Sequence, residues 1–155
     1  MNIRRAKIID IPRLIPLVRA FHEETLEIFG MGYDTPSVER TLREFILNHI
    51  GIVVEVKGEI VGVIGGAIVP SFTDHKQTIF AESMWYILPA HRGGVIGVKL
   101  LKLVERYCLD RGIEKIVMIG MCDDRADKLK DFYKRMGYEA LEIHYIKDLS
   151  NDNEN

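Results

Sequence analysis

The chain has 155 residues and a formal net charge of −2 at pH 7; 47% of its residues are hydrophobic and 28% are charged. This length suffices for a hydrophobic core, so we expect a single domain over residues 1–149 and a polar tail over residues 150–155. The near-neutral charge does not provide the basic face that nucleic-acid binding needs. No apolar run approaches the roughly 20 residues that cross a bilayer. We therefore expect neither a nucleic-acid partner nor a membrane partner.

The N-terminus and the two cysteines predict a cytoplasmic location. The opening sequence "MNIRRAKIIDIP" contains no long apolar segment and no small-residue cleavage site, so it does not resemble a signal peptide. Cys108 and Cys122 have neither a metal-binding spacing nor the pattern of a disulfide framework. We expect two reduced thiols and no metal site.

The first half of the sequence predicts a strand, two helices and a hairpin. Partial alternation in Ile3–Ile8 predicts the first strand. Two amphipathic helices follow, the first capped by Asp10 and the second beginning after the loop Phe29–Ser37. Gly51–Val56 and Ile60–Val69, joined by a short turn, predict a β-hairpin. Three glycines inside the second of these strands indicate a bulge or the close approach of another element.

The second half predicts alternating strands and helices. Gln77–Leu88 is a long strand that is apolar on both faces, and a helix follows it. Glu114–Met121 is another buried strand, a helix ends at Gly137, and Tyr138–Leu149 holds one or two final strands. The order is β-α-α-β-β-β-α-β-α-β-β, which predicts a mixed α/β fold with helices on both faces of the sheet.

A glycine-rich loop, "RGGVIG" (residues 92–97), joins the fourth predicted strand to the third helix. A helix N-terminus exposes unpaired N–H groups and a partial positive charge, and glycines allow a ligand to approach the backbone. The amides of Gly93–Val98 are therefore suited to hold a diphosphate. Taken alone, the loop is equally compatible with a turn that only starts a helix. A dinucleotide-binding fold would place such a loop after the first strand, not the fourth.

The element order and two sequence segments resemble the GNAT superfamily of N-acetyltransferases. The family's pyrophosphate signature, Gln/Arg-x-x-Gly-x-Gly/Ala, is matched by Arg92 and Gly97 after the hydrophobic-x-Pro triplet Ile87–Pro89. A second family segment, a tyrosine followed by a Gly-aromatic pair, is matched by Tyr133 and Gly137–Tyr138. The resemblance covers nearly the whole predicted domain.

Two positions depart from the family pattern. Val95 stands where the first signature glycine is expected, and Ala126 replaces an asparagine that usually precedes the tyrosine. Val95 can still donate its N–H if its φ is negative, but a side chain that fills the diphosphate space would abolish cofactor binding. The alternative to an enzyme is therefore a catalytically silent acyl-CoA-binding or regulatory module of the same fold.

The resemblance implies an acetyl-CoA-dependent N-acetyltransferase, in which a primary amine attacks the thioester directly. It implies that the pantetheine arm binds main-chain groups at the end of the fourth strand, and that the N–H of Ile87 or Leu88 stabilises the oxyanion. The implied cofactor-binding residues are Ile87, Leu88, Arg92, Gly93, Gly94, Val95, Gly97 and Val98.

Two side chains are candidates for proton transfer. Glu82 interrupts an apolar strand, where desolvation would raise the pKa of its carboxyl toward the range of a general base. Its place resembles that of the base in histone acetyltransferases; it acts directly or through a water, unless it is merely salt-bridged. The resemblance implies that Tyr133 protonates the departing thiolate. The alternative for Tyr133 is a core aromatic beside Phe132 and Met136.

The acceptor is the least defined partner. The resemblance places the end of the first helix and the following loop beside the acceptor, a region that contains His22, Glu23, Glu24, Glu27 and Asp34. Their acidity suits a small cationic amine over a peptide amine, but a solvated helix face explains it equally well. The resemblance also implies a homodimer, for which the final strands offer a pairing edge.

Overall fold

The computed structural model describes residues 1–150, so residues 151–155 of the expected polar tail lie outside the described residues. The elements follow the predicted order as far as the fourth helix. The strands are β1 (Asn2–Arg5), β2 (Ile50–Val56), β3 (Glu59–Pro70), β4 (Thr78–Ile87) and β5 (Lys115–Val117). The helices are α1 (Ile11–Thr25), α2 (Thr35–Asn48), α3 (Ile96–Leu109) and α4 (Ala126–Arg135).

The starts of α1 and α2 are stabilised in different ways. The carboxylate of Asp34 accepts a hydrogen bond from the N–H of Ser37 at 2.9 Å and caps α2. Asp10, expected to cap α1, makes no such cap. Its buried carboxylate instead accepts hydrogen bonds from the guanidinium of Arg4 at 2.7 Å and from the N–H of Lys7 at 2.8 Å. The pairing with Arg4 lowers the pKa of the Asp10 carboxyl.

The five strands form one sheet in the order β1-β2-β3-β4-β5, in which neighbours are antiparallel except β4 and β5. Side chains of β2 alternate between two apolar layers, as expected for a strand that is buried on both faces. Val53 packs with α1 and α2 on one face, and Ile52 and Val54 pack with α3 on the other. Trp85 contacts Phe132 of α4 on the α3 face, with ring centroids 5.7 Å apart. The mixed α/β fold class is confirmed.

A bulge in β4 positions the candidate site. Gly65 pairs with Met84 and Gly66 pairs with Glu82, which leaves Ser83 as the extra residue. A Cβ on Gly66 would lie 2.2 Å from the carbonyl oxygen of Ala81, so only glycine fits there. The bulge that the glycines of β3 predicted is therefore present. Because it reverses the alternation, the side chain of Glu82 lies on the α3 face and that of Met84 lies on the α1–α2 face.

The final strands were predicted wrongly. From Tyr138 to Ser150 the described chain contains no strand, and residues 139–150 are exposed. The apolar residues Leu141, Ile143 and Tyr145 alternate with polar ones, as in a strand, but β5 is only three residues long and provides a short edge for pairing. Among the described residues, no helix combines the length and apolarity that a membrane span requires.

Candidate active site

The strands β4 and β5 separate at the level of Glu82. Their parallel pairing ends at Ala81 and Val117, so the rest of β4 faces an opening, here called the β4–β5 gap, between Glu82–Ile87 and the chain that follows β5. An opening between parallel strands exposes backbone groups that the sheet would otherwise pair. The gap is therefore the place in the sheet where a ligand can form main-chain hydrogen bonds.

The backbone of Ile87 points into this gap. Ile87 is opposite Gly62 in β3, but the flanking N–H of Leu88 donates to the carbonyl of Val61 at 2.9 Å. In this antiparallel pattern the N–H and C=O of the paired residue point away from the partner strand. Of the two predicted oxyanion donors, Leu88 is thus already used within the sheet, whereas the N–H of Ile87 faces the gap.

Glu82 lies at the start of the gap and is 8% exposed. Its Oε2 accepts a hydrogen bond from the N–H of Ile119 at 2.8 Å, a backbone donor in place of a cationic partner. Burial raises the pKa of the Glu82 carboxyl to about 7, although the hydrogen bond from Ile119 opposes the rise. Near neutral pH this carboxyl therefore exists in both protonation states, as a proton acceptor in catalysis requires.

Tyr133 on α4 hydrogen-bonds to the backbone of the same residue. Its hydroxyl donates to the carbonyl of Ile119 at 3.0 Å, and its ring packs at 6.1 Å from that of Trp85. Burial, followed by the charge of Glu82, raises the pKa of the Tyr133 hydroxyl above its usual range. The phenol therefore retains its proton at neutral pH. The backbone of Ile119 joins the two predicted proton-transfer residues, and no side-chain pattern in the sequence signals it.

The glycine loop leads into α3 with open N–H groups. Gly93 has φ = +81°, in the left-handed region that favours glycine, whereas Val95 has φ = −76°. The side chain of Val95 is 60% exposed. A Cβ on Gly97 would lie 3.4 Å from the indole of Trp85, and a Cβ on Gly94 would meet nothing within 4 Å. The negative φ of Val95 therefore leaves its N–H able to donate to a ligand, and its side chain extends into solvent.

Beside this loop, the Trp85 indole presents a second unpaired donor. Its Nε1 is buried without a hydrogen-bond partner among the described residues. Buried polar groups are normally paired, so an orphan of this kind requires a missing partner. A ligand that occupies the region between the glycine loop and the gap would bring acceptors close to it.

Arg92 does not point toward the N–H groups of the loop. Its Nε donates to the carbonyl of Ile87 at 2.7 Å, and its two terminal nitrogens donate to the carboxylate oxygens of Glu24, each at 2.8 Å. Glu24 also accepts hydrogen bonds from the hydroxyl of Tyr86 at 3.0 Å and from Arg125. The pairing with Arg92 lowers the pKa of the Glu24 carboxyl. We call these four residues the Glu24 cluster; it connects α1, β4, the glycine loop and the start of α4.

The other residues that were expected beside the acceptor do not form one charged surface. His22 is buried, with its Nε2 at 2.7 Å from the carbonyl of Met31. Asp34 caps α2, and Glu23 and Glu27 are exposed. Sequence reasoning placed Glu24 in this region but missed Arg125, since residues 101 positions apart give no pairwise signal.

Comparison with known proteins links this arrangement to one family. The family model described as "Acetyltransferase (GNAT) family" matches residues 18–138. No curated protein matches the chain.

Solved structures of acetyltransferases share the fold. A ribosomal-protein-alanine N-acetyltransferase from Brucella melitensis biovar Abortus 2308 is 15% identical with a TM-score of 0.71, covering 96% of this chain and 99% of its own. A predicted acetyltransferase with acetyl-CoA from Clostridium acetobutylicum is 18% identical with a TM-score of 0.71, covering 96% of each chain. An aminoglycoside acetyltransferase from an uncultured soil metagenomic sample is 16% identical with a TM-score of 0.73, covering 96% and 98%.

Proposed function

The chain belongs to the GNAT acetyltransferase family, and on this premise we propose that it transfers the acetyl group of acetyl-CoA to a primary amine by direct attack on the thioester. The observation that carries the proposal is the backbone of Ile119, whose N–H donates to Glu82 and whose carbonyl accepts from Tyr133 where β4 and β5 separate. A proton acceptor and a proton donor are thereby both hydrogen-bonded to the backbone of one residue. A silent binding module would not need this pair.

Each step of acyl transfer is matched by a group in the gap. Glu82 takes a proton from the incoming ammonium, directly or through a water, so that a neutral amine attacks the thioester carbon. The N–H of Ile87 stabilises the oxyanion as the C–N bond forms. Tyr133 then gives its proton to the sulfur as the C–S bond breaks. The nitrogen loses a second proton as the amide forms. One of the two protons given up by the amine restores Tyr133 and the other leaves to solvent, so Glu82 and Tyr133 end the cycle in their starting states.

The residues between the glycine loop and the gap fit acetyl-CoA. The unpaired N–H groups of residues 93–98 suit its diphosphate, the N–H of Ile87 suits its thioester carbonyl, and the orphan Nε1 of Trp85 suits a carbonyl of its pantetheine arm. Val95 supports this assignment because its side chain is 60% exposed and leaves its backbone free to donate. Arg92 occupies the carbonyl of Ile87 and must move for a pantetheine amide to bind that oxygen.

Release of free thiol tests the proposal. Purified protein is mixed with acetyl-CoA and a panel of small-molecule and peptide amines, and CoA binding is titrated separately by calorimetry. We expect amine-dependent thiol release and a saturable CoA isotherm. Binding without turnover of any amine would replace the enzyme with the silent acyl-CoA-binding module, and the absence of CoA binding would contradict both functions.

We also propose that two copies associate through the segment after α4. Leu141, Ile143 and Tyr145 are 74%, 68% and 90% exposed, and β5 is the terminal strand of the sheet in the described chain. Exposed alternating apolar residues and a free edge favour strand pairing between copies. Sedimentation should show a dimer that Ile143→Glu converts to a monomer, while Glu142→Gln leaves it intact. A monomeric parent protein would contradict this proposal.

A further inference from the structure

The face of the sheet opposite Glu82 carries a pocket of about 500 Å³ between α1, α2 and β4. Pockets of this size hold small molecules. Much of its lining is apolar, from Val18, Phe21, Val38, Leu42, Phe45 and Met84. We propose that this pocket binds the carbon skeleton of the acceptor, so that the enzyme prefers a small monoamine with an apolar or aromatic body over a polycationic amine. The inference rests on the proposed function and specifies its acceptor.

The bulge connects this pocket to the proposed base. Ser83 and Met84 line the pocket, and they directly follow Glu82 in the chain. Consecutive Cα atoms are about 3.8 Å apart, so the floor of the pocket begins one residue from the proton acceptor. The reversal of alternation at Ser83 places Glu82 on one face and Met84 on the other. In this proposal, an amine whose body lies over Met84 extends its nitrogen into the β4–β5 gap to reach Glu82.

The apolar part of the pocket has no partner for a second ammonium group. Asp34 is the only carboxylate among the described residues that line it; it is exposed, and its Oδ2 accepts hydrogen bonds from the N–H and hydroxyl of Ser37. The ring Nε2 of His22 is occupied by the carbonyl of Met31. Glu24 is outside the lining and is paired with two arginines. A second cation over the apolar lining would lose water without a carboxylate partner there, which is costly.

The lining instead favours an aromatic or branched body. Phe21 and Phe45 contribute rings from two different helices, and Tyr33 adds a third from the loop between them. Burial of a phenyl group against such walls favours binding through its apolar area. The lining thus narrows the expected small cationic amine to one whose carbon skeleton is apolar or aromatic.

The test compares acceptors by binding and by turnover. Calorimetry measures binding of 2-phenylethylamine, spermidine and an alanine-initiated peptide to the protein alone, and thiol release with acetyl-CoA measures kcat/KM. We expect 2-phenylethylamine to exceed spermidine by about 100-fold in both measurements. A preference for spermidine or for the peptide would overturn the inference. The binding measurement does not need acetyl-CoA, so selective binding without turnover would contradict only the proposed function.

A charge introduced into the lining provides the matched variant. Thr41 is an exposed residue of α2 that lines the pocket, and Leu47 is 59% exposed on the same helix outside the lining. Thr41→Glu adds a second carboxylate to the lining, so it should lower the 2-phenylethylamine to spermidine ratio by about tenfold. Leu47→Glu adds the same charge elsewhere and should leave the ratio unchanged. Equal effects of the two variants would show that the pocket does not determine the choice of acceptor.

Discussion

Replacement of Glu82 by glutamine should make the protein more stable at neutral and alkaline pH while it removes the proposed base. The pKa of the Glu82 carboxyl rises from 4.5 to about 7 because the group is buried. Folded protein therefore binds a proton more tightly than unfolded protein between these values, and stability falls as pH rises through them. One unit of pKa shift corresponds to about 1.4 kcal/mol. Above pH 8 the ionised carboxylate of Glu82 therefore lowers the free energy of unfolding by about 3 kcal/mol.

The assay is urea unfolding of the parent protein and of Glu82→Gln between pH 4.5 and pH 8. Glutamine keeps an oxygen that can accept from the N–H of Ile119, so the two proteins should be similar near pH 4.5. The stability advantage of the variant should then increase by about 3 kcal/mol up to pH 8. Glu39→Gln, at an exposed position on α2, serves as the control and should show no such increase. Parallel stability curves for parent and Glu82→Gln would refute the reasoning.

Three further substitutions test other contacts. Tyr133→Phe should lower the single-turnover rate of acetyl transfer by about 100-fold and leave the calorimetric Kd for CoA unchanged; equal losses would assign Tyr133 to packing. Glu24→Gln weakens the ion pair that holds the guanidinium of Arg92 away from the N–H groups of its own loop and should tighten calorimetric CoA binding several-fold; weaker binding would mean that Glu24 positions the arginine for the ligand. Gly66→Ala forces a Cβ against the carbonyl of Ala81 and should lower the free energy of unfolding by about 2 kcal/mol in urea; an unchanged midpoint would contradict the bulge.

The periodic elements could be predicted because their signals are local. The helical spacing of Leu100 and Val104 and the apolar runs of β2 and β3 identify these elements without knowledge of their neighbours. The presence of the bulge could be predicted, but its extra residue could not. Glycines in β3 indicated it, but "FAESMWYI" is apolar on both faces, and nothing in it identifies Ser83 as the extra residue. The face on which Glu82 lies depends on that residue.

The end of the chain was predicted wrongly because a strand needs a partner. Leu141, Ile143 and Tyr145 have the alternation of a strand, which is a local property. Pairing is a non-local property, and β5 offers three residues. The alternation of the segment was predicted correctly, but its lack of a pairing strand could not be predicted from the sequence.

In the candidate site, some residues could be identified from the sequence, whereas the contacts between distant residues could not. Glu82 was identifiable as a carboxyl within an apolar strand, and Tyr133 through its resemblance to a family segment; their catalytic roles stay predictions. The bond between Arg92 and Glu24 joins residues 68 positions apart, and Ile119 contributes only its backbone. Contacts of these two kinds leave no pattern in a single sequence.

The pH dependence of acetyl transfer tests the role of Glu82 most directly. The ratio of kcat/KM for the parent protein to that for Glu82→Gln removes the contribution of the amine's own protonation, which both proteins share. This ratio should rise with pH, with its midpoint near pH 7, level off above about pH 8 and reach about 100-fold or more. A ratio that does not change with pH would show that Glu82 is not the proton acceptor.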